Sequence, residues 1–88
     1  MSDPGRVTRL RAALEAALRP THLEIIDDSA AHAGHPGARE GGHFRVCIAS
    51  PLFEGRTTLQ RHRLVYEALG GLMQRDVHAL SIDARLPS

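Results

Sequence analysis

Two histidines three residues apart in a glycine-bearing run, His32-Ala33-Gly34-His35, are the first residues of this chain to consider for metal chemistry. A pliable backbone there can turn both imidazoles toward one ion. A closed zinc site needs four ligands, usually with thiolates among them, and the chain holds a single cysteine, Cys47. The same spacing also suits a solvated loop with incidental histidines. His78 opens the alternating run His78-Ala79-Leu80-Ser81-Ile82 and falls on the side of Leu80 and Ile82, so one ring edge is expected to pack and the other to stay near the surface. A half-buried structural histidine explains His78 without a ligand, and His22 and His43, at the starts of apolar runs, admit that reading too.

Arg56 and Arg61-His62-Arg63 gather positive charge where a helix is expected to begin, and a helix start favours anions. A phosphate or an acidic partner fits there, as does a plain solvated helix face. Cys47 would be reactive only in an exposed, cationic setting; with Arg45 as its one nearby cation along the strand, a packed thiol is expected. No nucleophile elbow G-x-S-x-G, phosphate loop G-x-x-x-x-G-K or zinc helix H-E-x-x-H occurs, so catalysis is the poorest class.

The elements that must position these residues are short. Eighty-eight residues make one domain, 1–88, too small for a deep private active site. Eleven basic against ten acidic residues give a net charge of +1, so no global field recruits a polyanion. Phe44, Phe53 and Tyr66 are too few aromatics for a base-stacking platform. One cysteine excludes an intrachain disulfide and fits a reducing compartment, and no apolar stretch has a bilayer-spanning length, so a soluble cytoplasmic protein is expected.

Asp3 and Pro4 suit a helix start, Val7, Leu10, Leu14, Ala17 and Leu18 form its apolar stripe, and Pro20 ends it. Leu23 to Asp27 reads as a strand, and His43 to Ala49 as a second, with Phe44, Val46 and Ile48 on one side and Arg45 and Cys47 on the other. Between them, Asp28 to Gly42 is long, rich in Ala, Gly and His, and without an apolar anchor, which marks it as functional or mobile. Phe53-Glu54-Gly55 makes a turn; Thr57 or Thr58 caps a helix that runs to about Arg75, weakened at Gly70-Gly71; Val77 to Ala84 is the third strand. The order is αββαβ, an α/β (α+β) domain with one three-stranded sheet packed by helices.

Several of these segments together resemble a known family. Leu23-Glu24-Ile25-Ile26-Asp27-Asp28-Ser29, His43-Phe44-Arg45-Val46, Phe53-Glu54-Gly55, Gln60-Arg61-His62-Arg63-Leu64-Val65-Tyr66 and Val77-His78-Ala79-Leu80, in this order and spacing, closely resemble the BolA family over nearly the whole chain. The resemblance implies a fold similar to class II KH domains, in agreement with the independent reading. It also implies a non-enzymatic adaptor that pairs with a monothiol glutaredoxin and its glutathione, sharing a 2Fe-2S cluster in iron–sulfur assembly or iron regulation. The family's cluster-binding histidine falls on His78 and its loop ligand on His32, with His35 as alternate. Imidazole can replace thiolate on such a cluster. Cys47 is expected not to be a ligand. The alternative function is a DNA-binding regulator that uses Arg56, Arg61, His62 and Arg63, although no GXXG loop of the KH type falls in the right place. Alone, the chain is expected to be a monomer or a weak homodimer.

Overall fold

The leucines Leu10, Leu14 and Leu18 recur every fourth residue. In the computed structural model, which describes residues 4–28 and 42–87, they form the buried side of a first helix, α1 (Pro4–Leu18). Val7 and Ala13 pack partly beside them, whereas Ala17, expected on the stripe, is exposed, since only Leu18 of the last turn reaches the core. The helix ends at Arg19, which takes φ +46° and donates its N–H to the Glu15 carbonyl at 3.2 Å; Pro20 then has no N–H with which to continue. The expected cap at Asp3 lies outside the described residues.

Three strands follow: β1 (His22–Asp27), β2 (Gly42–Ala49) and β3 (Val77–Arg85). β2 is central, antiparallel to β1 and parallel to β3. The alternation of β2 works as anticipated: Phe44, Val46 and Ile48 are buried, Arg45 is exposed and Cys47 is intermediate. A parallel pair needs a long crossover, and residues 50–76 supply it. Ser50, fully buried, donates its hydroxyl to the Leu18 carbonyl at 2.6 Å and accepts the Leu52 N–H at 3.1 Å, joining the end of α1 to the end of β2. It caps a one-turn 3-10 helix (Pro51–Phe53), where only a turn was anticipated, and this turn drives Phe53 wholly into the core.

Thr57, rather than Thr58, caps the second helix, α2 (Thr58–Leu69), in a reciprocal pair with Gln60. Val65 and Leu69 are its buried residues. The single helix expected to reach Arg75 is in fact two. Gly70 takes φ +52°, a left-handed value that a side chain resists, and the chain restarts as a single turn, α3 (Leu72–Arg75). Both longer helices cover one side of the sheet, and its other side carries Glu24, Ile26, Arg45, Cys47, Ser81, Asp83 and Arg85. Among the described residues no helix is long and apolar enough to cross a membrane.

The turn from α3 into β3 is held by charge. Asp76, 6% exposed, accepts Arg9 Nε at 2.9 Å and Nη2 at 2.8 Å, and Arg6 Nε lies 3.7 Å from the same carboxylate. The hydrogen bond from Arg9, helped by the charges of Arg75 and Arg6 and opposed by burial, holds the Asp76 carboxyl below its ordinary value. The unfolded chain therefore binds a proton at this residue more readily than the folded one, and stability rises with pH through the carboxylate range. Acid titration of thermal stability should show a loss that begins near the ordinary carboxylate range of roughly pH 4–5 and continues below it. Arg9→Ala should cost about 1–2 kcal/mol at neutral pH and weaken that acid dependence.

Candidate functional site

β3 starts with an irregularity that decides what His78 faces. Gly42 pairs with Val77, but the next residue, His43, pairs with Ala79, so His78 is the extra residue of a bulge. Val77 points into the core at 8% exposure, and Leu80, Ile82 and Ala84 follow on that side, half-buried. The expectation that His78 shares a face with Leu80 and Ile82 is thus corrected: the bulge turns it outward and leaves it exposed. Its ring meets His43 instead, with centroids 5.1 Å apart and the planes tilted by 52°.

His43 is half-buried, as its place at the start of a strand implies, and it stands beside His78. A signal for the bulge was available. Apolar residues at 77, 80, 82 and 84 break strict alternation between 77 and 80, as an inserted residue does.

The end of β1 reaches the same end of the sheet. Asp28 donates its N–H to the His43 carbonyl at 2.7 Å and accepts Arg45 Nε at 2.7 Å, an ion pair that raises the Arg45 pKa further and keeps its guanidinium charged. A shallow cavity of about 270 Å³ opens here between Asp28, His43, Arg45, Ala79 and Ser81. β2 begins at Gly42, whose N–H donates to the Asp76 carbonyl at 2.9 Å. His32 and His35 lie outside the described residues. Among the described residues no three His, Cys, Asp or Glu side chains converge as a metal site. Cys47 lies four residues along β2 from His43, about 13 Å at strand rise, paired across the sheet with Glu24 and Asp83.

The arginines at the start of α2 do not act alike. Arg61 donates Nε to the Arg56 carbonyl at 3.1 Å and Nη1 to the Ala84 carbonyl at 3.3 Å, tying the helix start to the end of β3. Arg56 donates Nε to the Leu52 carbonyl at 3.0 Å, Arg63 is exposed, and His62 is half-buried. The sequence groups these residues as one basic patch; the structure gives Arg61 a bracing role. Arg61→Ala should therefore lower the melting temperature by roughly 4–8 °C, about 1 kcal/mol for a domain of this size. Arg63→Ala should leave thermal denaturation unchanged.

Comparison with known proteins follows the same outline. Residues 14–88 match the family model described as "BolA: BolA-like protein". BolA-like protein 1 of Bos taurus is 48% identical over 79 residues, 90% of this chain and 57% of that protein, and its Homo sapiens counterpart is also 48% identical, with 56% of its length covered. The chain thus spans somewhat more than half the length of these mammalian relatives. In Escherichia coli (strain K12) the protein named "DNA-binding transcriptional regulator BolA" is 36% identical over 74 residues, 84% of this chain and 69% of that protein. Among solved structures, the BolA domain of SufE1 from Arabidopsis thaliana superposes with a TM-score of 0.84 at 42% identity, covering 98% of this chain and 96% of that one. These relatives are named as BolA-like proteins or as a regulator, not as enzymes. By fold, motifs and sequence, this chain belongs to the BolA-like protein family.

Proposed function

We propose that this domain is a non-enzymatic adaptor that binds a monothiol glutaredoxin and shares a 2Fe-2S cluster with it, the cluster being cargo for assembly, transfer or iron sensing. The observation that carries the reading is the exposed imidazole of His78, set outward by a bulge at the end of the sheet beside Asp28 and Gly42. His32, four residues beyond Asp28 in the chain, is the second histidine assigned to the cluster on the family resemblance. Two imidazoles leave a cluster incomplete; the partner's cysteine and a bound glutathione thiolate would complete it. Neutral imidazole is a fitting donor to iron, and Rieske centres use it on one iron of a 2Fe-2S unit. Cys47, half-buried in mid-strand and remote from His78, is not assigned as a ligand.

The test is anaerobic reconstitution of the complex with a monothiol glutaredoxin and glutathione, followed by visible circular dichroism. His78→Ala should alter the spectrum of the heterocomplex strongly while leaving the glutaredoxin's own cluster spectrum alone. His32→Ala should act similarly, His35→Ala less, and Cys47→Ser not at all. A folded His78→Ala variant whose heterocomplex keeps the wild-type spectrum would sink the shared-cluster reading.

A second reading, DNA binding, is favoured by one observation: Arg56 and Arg63 are exposed at the start of α2 in a chain related to a protein named as a DNA-binding regulator. If these side chains and His62 engage phosphates, duplex affinity should fall steeply with salt, by about 0.9 log units per log unit of salt for each contact. Arg56→Ala with Arg63→Ala should flatten that slope. Binding that is absent, or insensitive to salt, rules this reading out.

A further inference from the structure

Resting on the shared-cluster reading, the structure also bears on what holds His78 in place. The near edge of the bulge that turns this residue outward is Val77, buried in the core, and the residue before it, Asp76, makes hydrogen bonds that tie the start of β3 to its surroundings. The Asp76 N–H donates to the Leu72 carbonyl at 2.8 Å, and its own carbonyl accepts the Gly42 N–H at 2.9 Å. Its carboxylate is gripped by the two-pronged bond from Arg9, with Arg6 beside it. Asp76 is buried although α3 is a single turn and Gly70-Gly71 precedes it, so the local chain has little rigidity to offer. The fixed reference is α1, anchored through the fully buried Leu10 and Leu14.

We propose that the Arg9–Asp76 ion pair is the positioning device of His78: it transmits the fixed location of α1 to the start of β3 and so sets the His78 ring against His43, where it can meet a partner-held cluster. Asp76 and Arg9 are positioning residues, acting on His78 through the start of β3. The fork geometry matters as much as the charge. A guanidinium that makes two parallel bonds fixes the direction of the carboxylate as well as its distance, and direction is what Val77, the one residue between Asp76 and His78, passes on. Metal ligands are commonly oriented by such outer partners, whose loss typically weakens metal affinity about 10–100-fold.

The experiment compares Arg9→Ala, Arg9→Lys and Asp76→Asn with wild type, and with Val65→Ala, which opens a cavity in the core under α2 and supplies a stability loss unconnected with the bulge. Two readouts are taken. In the free protein, the nuclear Overhauser cross-peak between the ring protons of His43 and His78 and the exchange rate of the Gly42 amide report the bulge geometry. In the complex reconstituted with a monothiol glutaredoxin and glutathione, titration followed by visible circular dichroism reports cluster affinity.

Arg9→Ala and Asp76→Asn should weaken the ring cross-peak, speed Gly42 exchange and lower cluster affinity about tenfold. Arg9→Lys, which keeps charge but loses the fork, should fall between them and wild type. Val65→Ala should lose thermal stability yet retain the cross-peak and the affinity. The proposal is overturned if folded Arg9→Ala and Asp76→Asn keep the wild-type cross-peak and Gly42 exchange, or if Val65→Ala changes them as much. If wild-type protein assembles no cluster with the glutaredoxin, the shared-cluster reading fails by itself, and the measurements on the free protein still decide whether Arg9–Asp76 sets the His78 ring.

Discussion

One extra residue in the ladder between β2 and β3 governs what the rest of the molecule can present. Without it, the alternation of β3 would send His78 toward the helices and Val77 to solvent. With it, Val77 is buried alongside Phe44, Val46 and Ile48, and the next residue is turned outward beside His43. The driving force is ordinary apolar burial: moving a valine-sized side chain out of water is worth about 1.5–3 kcal/mol, enough to favour the shifted register over an unbroken ladder that exposes Val77. Burial of Val77 thus accounts for the register shift, and the exposed imidazole follows from it.

Among the described residues there are two sizeable helices, and both are used on the same side of the sheet. The other side must tolerate water, and its composition is accordingly polar. Charges there are largely answered locally: Arg45 by Asp28, and Arg85 by Asp83, whose carboxyl that guanidinium holds below its ordinary value. Such exposed pairs add little stability. Their effect is on arrangement, since the Asp28–Arg45 pair ties the end of β1 to β2. The stronger ties lie at the two ends of β3. Asp76 joins its start to α1 through Arg9, and Arg61 joins its last residues to the beginning of α2 through the Ala84 carbonyl. The edge strand that carries the exposed His78 is thus held at both ends by arginines from the helices, while the hydrophobic core holds its middle through Leu80 and Ile82.

Much of this was legible in the residues themselves. The stripe of Leu10, Leu14 and Leu18, the alternation of Phe44, Val46 and Ile48, the Pro20 stop and the threonine start of α2 each follow from local chemistry and a fixed repeat, and each appears where the pattern puts it. The motif segments were enough to point to the family. The weak point at Gly70-Gly71 was visible too, though its outcome as a full break depended on Gly70 taking a left-handed conformation.

The amino-acid sequence by itself therefore determined the element order, the buried faces and the identity of the histidines worth considering, because these depend on side-chain type and on periods of two or 3.6 residues that any stretch of chain carries within itself. Only the tertiary structure decided that His78 faces outward against His43, that Phe53 is a core residue, that Arg61 is a brace, and that Asp76 answers to Arg9 across 67 positions. Those outcomes turn on register between strands and on pairings between residues far apart in the chain. Local periodicity carries no information about which distant partner a side chain will meet, so a one-residue shift or a buried ion pair is settled only when the helices and the sheet are packed together.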